Sequence, residues 1–567
     1  MKILLTFFTL IWMVLPSYSQ ETVWVFFKDK GAESGSRLED PSQFLSHAAL
    51  DRRAAKNIPV TLSDLPVEAT YLKTLKSRNF EVLSASRWLN AAAVRMDCSR
   101  REEILALDFV SGLRPVASLV RTSESEDLVA DIQTGYSPLL YGQAEEQNNM
   151  LNIAGLHERG FTGKGVKIAV MDAGFRGADT ISAFDSMRAE NRILATWDFV
   201  DNDETVYHSD AHGTQVLSVI AANMPGQLVG TAPHVSVVLF RTENSRSETR
   251  QEEYNWVKAV EMADSMGVDI IHSSLGYNEF DNEEDSYSYE DMNGNTAITS
   301  QAADAAARKG IIVTVSAGNE GDNHWKYIVA PCDADSVLCV GSVDRLQNLS
   351  GFSSVGPSSD GRIKPDVVAM GSRTMAANPN NRIYGVNGTS FSGPLIAGFT
   401  ACLRQAHPER SNIDIIRAVR LSGDQAGLPD AQYGYGIPDA LKADSLLANV
   451  SDLTTVKIVT EEKPIRGEIV ERKSLLQNIE TEITFTPNPL TVVIVGKSQV
   501  SISTENAGAS IVSYTFYRGK QKLTVSGSEL KNDGNTLTLS TKYLQKGLYY
   551  IDIVTDKFEE KISFEIL

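Results

Sequence analysis

Apolar positions along the chain fall into three regimes. Over residues 20–136, strand-like runs at 23–27 and 91–96 interleave with helical spacing at 68–77 and around 102–107. That is the content of a small α+β domain of about 100 residues. From about Leu151 the apolar runs become short and nearly continuous, at 167–171, 235–240, 268–271 and 311–315. Strands covered on both faces by helices read this way. Ala-rich helical segments at 256–266 and 301–309 lie between them, so the pattern predicts an α/β domain over 137–450 built on a doubly wound parallel sheet. Residues 451–480 are polar and charged, as expected of a linker. After Pro487-Asn488-Pro489, strand-like runs at 492–495, 500–503, 512–517, 536–539, 548–554 and 562–566 predict a β-sandwich over 481–567.

A length of 567 residues fits this division into several units. The ends of the chain change the compartment. Lys2 precedes an apolar run at 3–15, then Pro16 and the small-residue pattern Ser17-Tyr18-Ser19. This reads as a signal peptide over 1–19, because the run is shorter than the roughly 20 apolar residues of a membrane span. The expectation is a secreted protein, extracellular or at the cell surface, with no transmembrane span.

Net charge is −19, from 53 Lys plus Arg against 72 Asp plus Glu. Binding to nucleic acid, which needs clustered cations, is not expected. Most of the excess sits in residues 137–450, with 23 cations against 40 anions. An acidic insertion at 277–295 carries Glu279, Asp281, Glu283, Glu284, Asp285, Glu290 and Asp291 with no Lys or Arg. Four cysteines are too few for a disulfide scaffold. Cys332 and Cys339 read equally well as a short-loop disulfide and as two buried thiols, and no Cys or His cluster suggests zinc.

Parallel α/β sheets gather ligands at the carboxyl ends of their strands. The run at 167–171 delivers Asp172-Ala173-Gly174, and the run at 311–315 delivers Ser316-Ala317-Gly318-Asn319. Asn387-Gly388-Thr389-Ser390-Phe391-Ser392-Gly393-Pro394 opens an apolar helix, and His212-Gly213-Thr214 opens another. Alone, each Asp or Ser would read as a cap or turn residue. Together they place Asp, His and Ser in the chain order found in subtilisin.

On these residues, and on Gly230-Thr231-Ala232-Pro233, Ser274-Leu275-Gly276 and Gly434-Tyr435-Gly436, the segment from about Leu151 to Ala448 resembles the subtilases, the subtilisin-like serine peptidases. The resemblance implies a serine endopeptidase that works through an acyl-enzyme. Ser390 would be the nucleophile, His212 its base, Asp172 the group that orients the imidazole, and Asn319 an oxyanion-hole donor. Ser274, Leu275 and Gly276 would pair with an extended substrate backbone. Many subtilases carry Ser or Thr after the catalytic Asp, where this chain has Ala173, so one supporting hydroxyl is missing. His272 reads as a hydrogen-bonded core histidine.

Residues 20–136 resemble the inhibitory propeptide of such enzymes through Trp88-Leu89-Asn90-Ala91 and Pro115-Val116, which makes the chain's own propeptide an expected partner beside protein or peptide substrates. The tail resembles a type IX secretion sorting domain through Phe485-Thr486-Pro487-Asn488-Pro489-Leu490 and Lys546-Gly547-Leu548-Tyr549-Tyr550-Ile551, which adds that secretion machinery as a partner. The chemistry requires no cofactor. Structural calcium is the one ion the resemblance allows for, with the insertion at 277–295 as the place to look, although its spacing is not that of an EF-hand. Two other readings stay open: a surface binding protein on an inactivated subtilase scaffold, and a narrow processing peptidase that matures one partner.

Overall fold

The computed structural model describes residues 20–116 and 140–448, together with the strand backbone of the tail from Glu482 to Ile566. The signal peptide assigned to 1–19, the end of the propeptide-like segment at 117–136 and the linker assigned to 451–480 lie outside the described residues. The chain divides after Ala448 into two compact units.

The first unit opens with β1 (Gln20–Phe27), α1 (His47–Ala55), α2 (Ala69–Ser77), β2 (Glu81–Ser86), β3 (Ala91–Asp97) and β4 (Val110–Val116). The four strands form one antiparallel sheet in the order β2-β3-β1-β4. The alternation in β1 explains where that sheet sits. Val23, Val25 and Phe27 face a local core with Leu75 and Val94, whereas Trp24 on the opposite face joins Ala91 and Ala93 in a core shared with the domain that follows.

That domain is built on seven strands: β5 (Lys167–Asp172), β6 (Ile193–Asp198), β7 (Ser236–Arg241), β8 (Ile270–Ser273), β9 (Ile312–Ser316), β10 (Leu338–Val343) and β11 (Val367–Met370). All pair in parallel, in the order β11-β10-β9-β8-β5-β7-β6. Successive residues on each strand serve opposite cores. Ile168, Val170, Leu239 and Ile312 face one core, and Ala169, Met171, Phe240 and Val313 face the other. The near-continuous apolar runs are the direct consequence. The first core is closed by α3 (His212–Ala221) and by α6 (Thr389–Ala406), and the second by α4 (Arg250–Met266) and α5 (Ile298–Arg308). Expectation missed β6, β10 and β11 as strands, and a hairpin of Ser372–Ala377 with Ile383–Asn387. Each is short or only partly apolar.

The N-terminal sheet docks on α4, where Trp24 and Tyr254 bring their ring centroids to 4.6 Å. The contact is sealed by charge. Asp264, near the end of α4 and fully buried, receives Arg52, Arg53 at 2.7 Å and Arg87 at 2.7 Å. Glu261, one helical turn earlier, accepts the backbone N–H groups of Arg87 and Trp88, each at 3.0 Å. Lys309 pairs with Asp64 at 2.7 Å from the other direction.

The second unit consists of two antiparallel sheets. One has five strands, from Glu482–Phe485 to Thr536–Ser540, and the other has four, ending in Gly547–Thr555 and Glu559–Ile566. All six predicted runs are strands. Glu482–Phe485, Gln521–Leu523 and Leu530–Asn532 are additional short ones.

Removing one partner of a buried ion pair strands the other charge at a cost of about 3–5 kcal/mol. Asp264→Ala is therefore expected to loosen the N-terminal sheet from α4. Hydrogen exchange at the α1 and β3 amides should rise by several orders of magnitude, while that of β5 and β9 stays as in the parent protein. Unchanged exchange at α1 and β3 would count against the ion cluster as the seal.

Candidate active site

The register of the central strands aligns the candidate residues. Met171 in β5 pairs with Ser273 in β8, and Ser273 pairs with Val315 in β9. Asp172, Ser274 and Ser316 therefore leave the sheet in one row at its carboxyl edge. His212 arrives from α3. The residue before it, Ala211, has no capping side chain, so Asp210 Oδ1 accepts the His212 N–H at 2.8 Å. Gly213 lets the helix approach β5, since a Cβ there would lie 2.5 Å from the Gly174 carbonyl oxygen.

His212 Nδ1 and Asp172 Oδ1 are 2.8 Å apart. Asp172 is fully buried, whereas the His212 side chain retains 31% exposure and so faces the cleft. Burial opposes a charge on the imidazole, but the adjacent Asp172 carboxylate and its hydrogen bond, with help from Asp210, outweigh it. The His212 pKa lies above the ordinary histidine value. Nδ1–H donation to Asp172 leaves Nε2 as the lone pair able to take up a proton. Asp172 Oδ1 also accepts the Ala173 N–H at 2.8 Å. Its Oδ2 is buried without a protein donor.

Ser390 lies in the first turn of α6, behind Gly388 with φ +140°. Its hydroxyl donates to the Ser274 carbonyl at 3.3 Å rather than to His212. The His212 ring is 5.6 Å from that of Phe391, the residue after Ser390. Asn319 Oδ1 accepts both the Thr389 N–H at 2.8 Å and the Thr389 hydroxyl at 2.9 Å. This clamp fixes which end of the amide is which and leaves Nδ2 as the available donor. Ser274, Leu275, Gly276, Asn319 and Ser390 line one cavity of about 140 Å³, shared with Val329 and Glu320. All seven residues singled out from the sequence thus converge at one edge of the sheet.

Thr389 and Asp210 act on this site and were not anticipated. Their signal is local: Thr389 adjoins Ser390, and Asp210 stands at the cap-like position two residues before His212. Cys332 and Cys339 are joined in a disulfide. Among the described residues, the acidic insertion brings no three metal-type ligand atoms together. Four of its seven carboxylates are engaged, Asp291 by the Ser288 N–H, Asp285 by Asn282, Asp281 by the Glu248 N–H and Glu279 by His324. Among the described residues, three metal-type ligand atoms converge only at Asp198, Asp201 and His208. There the Arg241 guanidinium already stands 2.7 and 2.6 Å from the two carboxylates, so the donor set suits the arginine and not a calcium ion.

Residues 163–436 match the model of the subtilase family, and residues 22–128 match that of the peptidase S8 propeptide domain of Bacteroidota. Subtilisin DY of Bacillus licheniformis is 30% identical over 283 residues, which span 49% of this chain and 90% of that protein. Alkaline elastase YaB of Bacillus sp. strain YaB is 28% identical over 50% of this chain and 65% of its own length. The epidermin leader peptide processing serine protease of Staphylococcus aureus shares the fold, with a TM-score of 0.53 at 19% identity, covering 76% of this chain and 99% of that one. The chain belongs to the subtilase family and is a subtilisin-like serine endopeptidase with an S8-type propeptide domain ahead of its peptidase domain.

Proposed function

We propose that this peptidase cleaves peptide bonds through an acyl-enzyme on Ser390, with His212 as general base and acid and Asp172 as its orienting carboxylate. The single observation that carries the reading is the 2.8 Å bond from His212 Nδ1 to buried Asp172, made beside the first turn of the helix that bears Ser390. A serine hydroxyl is a poor nucleophile near neutral pH and needs such a base. In the reaction the Ser390 hydroxyl turns from the Ser274 carbonyl to His212 Nε2. Its oxygen bonds to the scissile carbonyl carbon as His212 takes the proton, and Asp172 stabilises the resulting imidazolium. The developing oxyanion receives the Ser390 N–H and the Asn319 amide that Thr389 holds in place, and a lost donor of that kind typically costs about 100- to 1,000-fold. Proton return from His212 releases the amine. Water, deprotonated by the same imidazole, then frees the acid and restores Ser390. Ser274-Leu275-Gly276 receives the substrate backbone as an added strand.

The same reading extends to the rest of the chain. The S8-type propeptide domain would inhibit the peptidase until cut from it, the leader at 1–19 would direct export, and the tail would address the protein to type IX secretion. The sorting role rests on the tail motifs named above.

Comparison of the purified protein with its Ser390→Ala variant tests the reading. The parent should hydrolyse a protein substrate and take up a serine-directed phosphonate, and the variant should do neither. Equal activity in both would refute it. Because His212 must be neutral to act as base, kcat/KM should rise with pH through a pKa above that of ordinary histidine. Asp172→Asn removes the charge that raises this pKa and replaces one carboxylate oxygen with an NH2 donor. It should therefore move the rising limb to lower pH and reduce kcat by about 10,000-fold, as the equivalent change does in other serine peptidases. A limb that stays in place would dissociate Asp172 from the titration.

A further inference from the structure

The first turn of α6 contains a defect. Ser390's carbonyl would ordinarily bond to the N–H four residues on, but that residue is Pro394, which has none. The carbonyl is not left alone: the Ser274 hydroxyl donates to it at 2.9 Å. Ser274 Oγ in turn lies 2.9 Å from His272 Nε2, and His272 Nδ1 lies 3.0 Å from the Thr314 hydroxyl. His272, Thr314 and Ser274 are all buried, and His272 is at 0% exposure.

Proton counting decides the direction of this chain. Ser274 has one hydroxyl proton. If His272 carried its proton on Nδ1, Nε2 would draw the Ser274 proton to itself and the Ser390 carbonyl would be orphaned in the interior. Such a loss is unfavourable for a buried acceptor. If the proton is on Nε2, the Thr314 hydroxyl, which also lies 3.2 Å from the Ile271 carbonyl, turns its proton to the nearer Nδ1 at 3.0 Å, Nε2–H donates to Ser274, and Ser274 donates to Ser390. Every group along that path is then satisfied. Burial holds the His272 pKa down to about 3, so the imidazole stays neutral at any pH where the base His212 is competent. The ring also touches α6 directly, since a Cβ on Gly393 would lie 2.9 Å from His272 Cε1.

We propose that His272 is a positioning residue of this peptidase: its Nε2–H aims the Ser274 hydroxyl at the carbonyl that Pro394 orphans, and so holds the Ser390 turn in place. The inference rests on Ser390 being the nucleophile. It differs from a role for His272 in core stability alone, because the bond it controls ends on the reacting residue and not on the sheet.

Three single variants and one double variant test it in the full chain. Ser274→Ala and His272→Leu should each lower kcat and the phosphonate labelling rate by about 10- to 100-fold, the scale of a misplaced reacting group, with KM within about twofold. His272→Asn, whose amide can donate to Ser274, should recover most of the rate. The double variant His272→Leu with Ser274→Ala should be no slower than the slower single, because both remove one chain. A folded His272→Leu or Ser274→Ala protein with parental kcat and labelling rate would overturn the proposal, as would losses that multiply in the double. If His272→Leu does not fold, Ser274→Ala and His272→Asn decide the matter alone, and parental kcat in Ser274→Ala overturns it. Failure of the parent itself to label at Ser390 would refute the assignment of the nucleophile instead, so the two failures are distinguishable.

Discussion

The backbone register that pairs Met171 with Ser273 and Ser273 with Val315 is the constraint from which the site follows. A slip of one residue in any of these strands would turn its side chains to the opposite face. It would also move Asp172, Ser274 or Ser316 out of the common row at the sheet's carboxyl edge. The register is secured by the two cores, which each strand feeds with alternate residues, so a slipped strand would hand each core side chains fitted to the other. The long buried α6 is fixed against the same strands and carries Ser390 on its first turn. Chemistry at the edge thus inherits its precision from packing in the interior.

Negative charge has a more specific meaning than solubility. Part of the acidity of residues 137–450 meets the N-terminal domain, where Asp264 gathers three arginines and Glu261 accepts two backbone amides. The propeptide domain therefore sits on the peptidase through desolvated ion pairs as well as through Trp24 and Ala93. The insertion at 277–295 uses Asp285 and Asp291 within its own turns and Asp281 and Glu279 to reach Glu248 and His324. Arg241 fills the one place where three metal-type ligand atoms converge among the described residues.

Much of this was legible in advance, for identifiable reasons. Strands buried on both faces leave apolar runs, and the residues after those runs, with Ser390 and His212 at helix starts, named the site. What stayed hidden depended on contacts between distant segments. Nothing local to Arg52 or Arg53 announces a partner more than 200 positions away at Asp264. Cys332 and Cys339 sit in surroundings equally suited to thiols, so only their proximity in the fold distinguishes the disulfide. Thr389 clamps Asn319 across 70 positions of sequence. The strand setting of His272 implies a satisfied core histidine, and it is satisfied, but its partner Ser274 connects it to Ser390, which no spacing rule contains.

The account stands on Ser390 carrying the acyl group during turnover. Rapid quenching of the mature enzyme with a slowly hydrolysed ester substrate, followed by peptide mass analysis, measures this directly. The acyl mass should appear on the peptide spanning Gly388, Thr389, Ser390 and Phe391, and should accumulate in a burst before steady state. Steady turnover with no adduct on that peptide, or with the adduct on another residue, would contradict it.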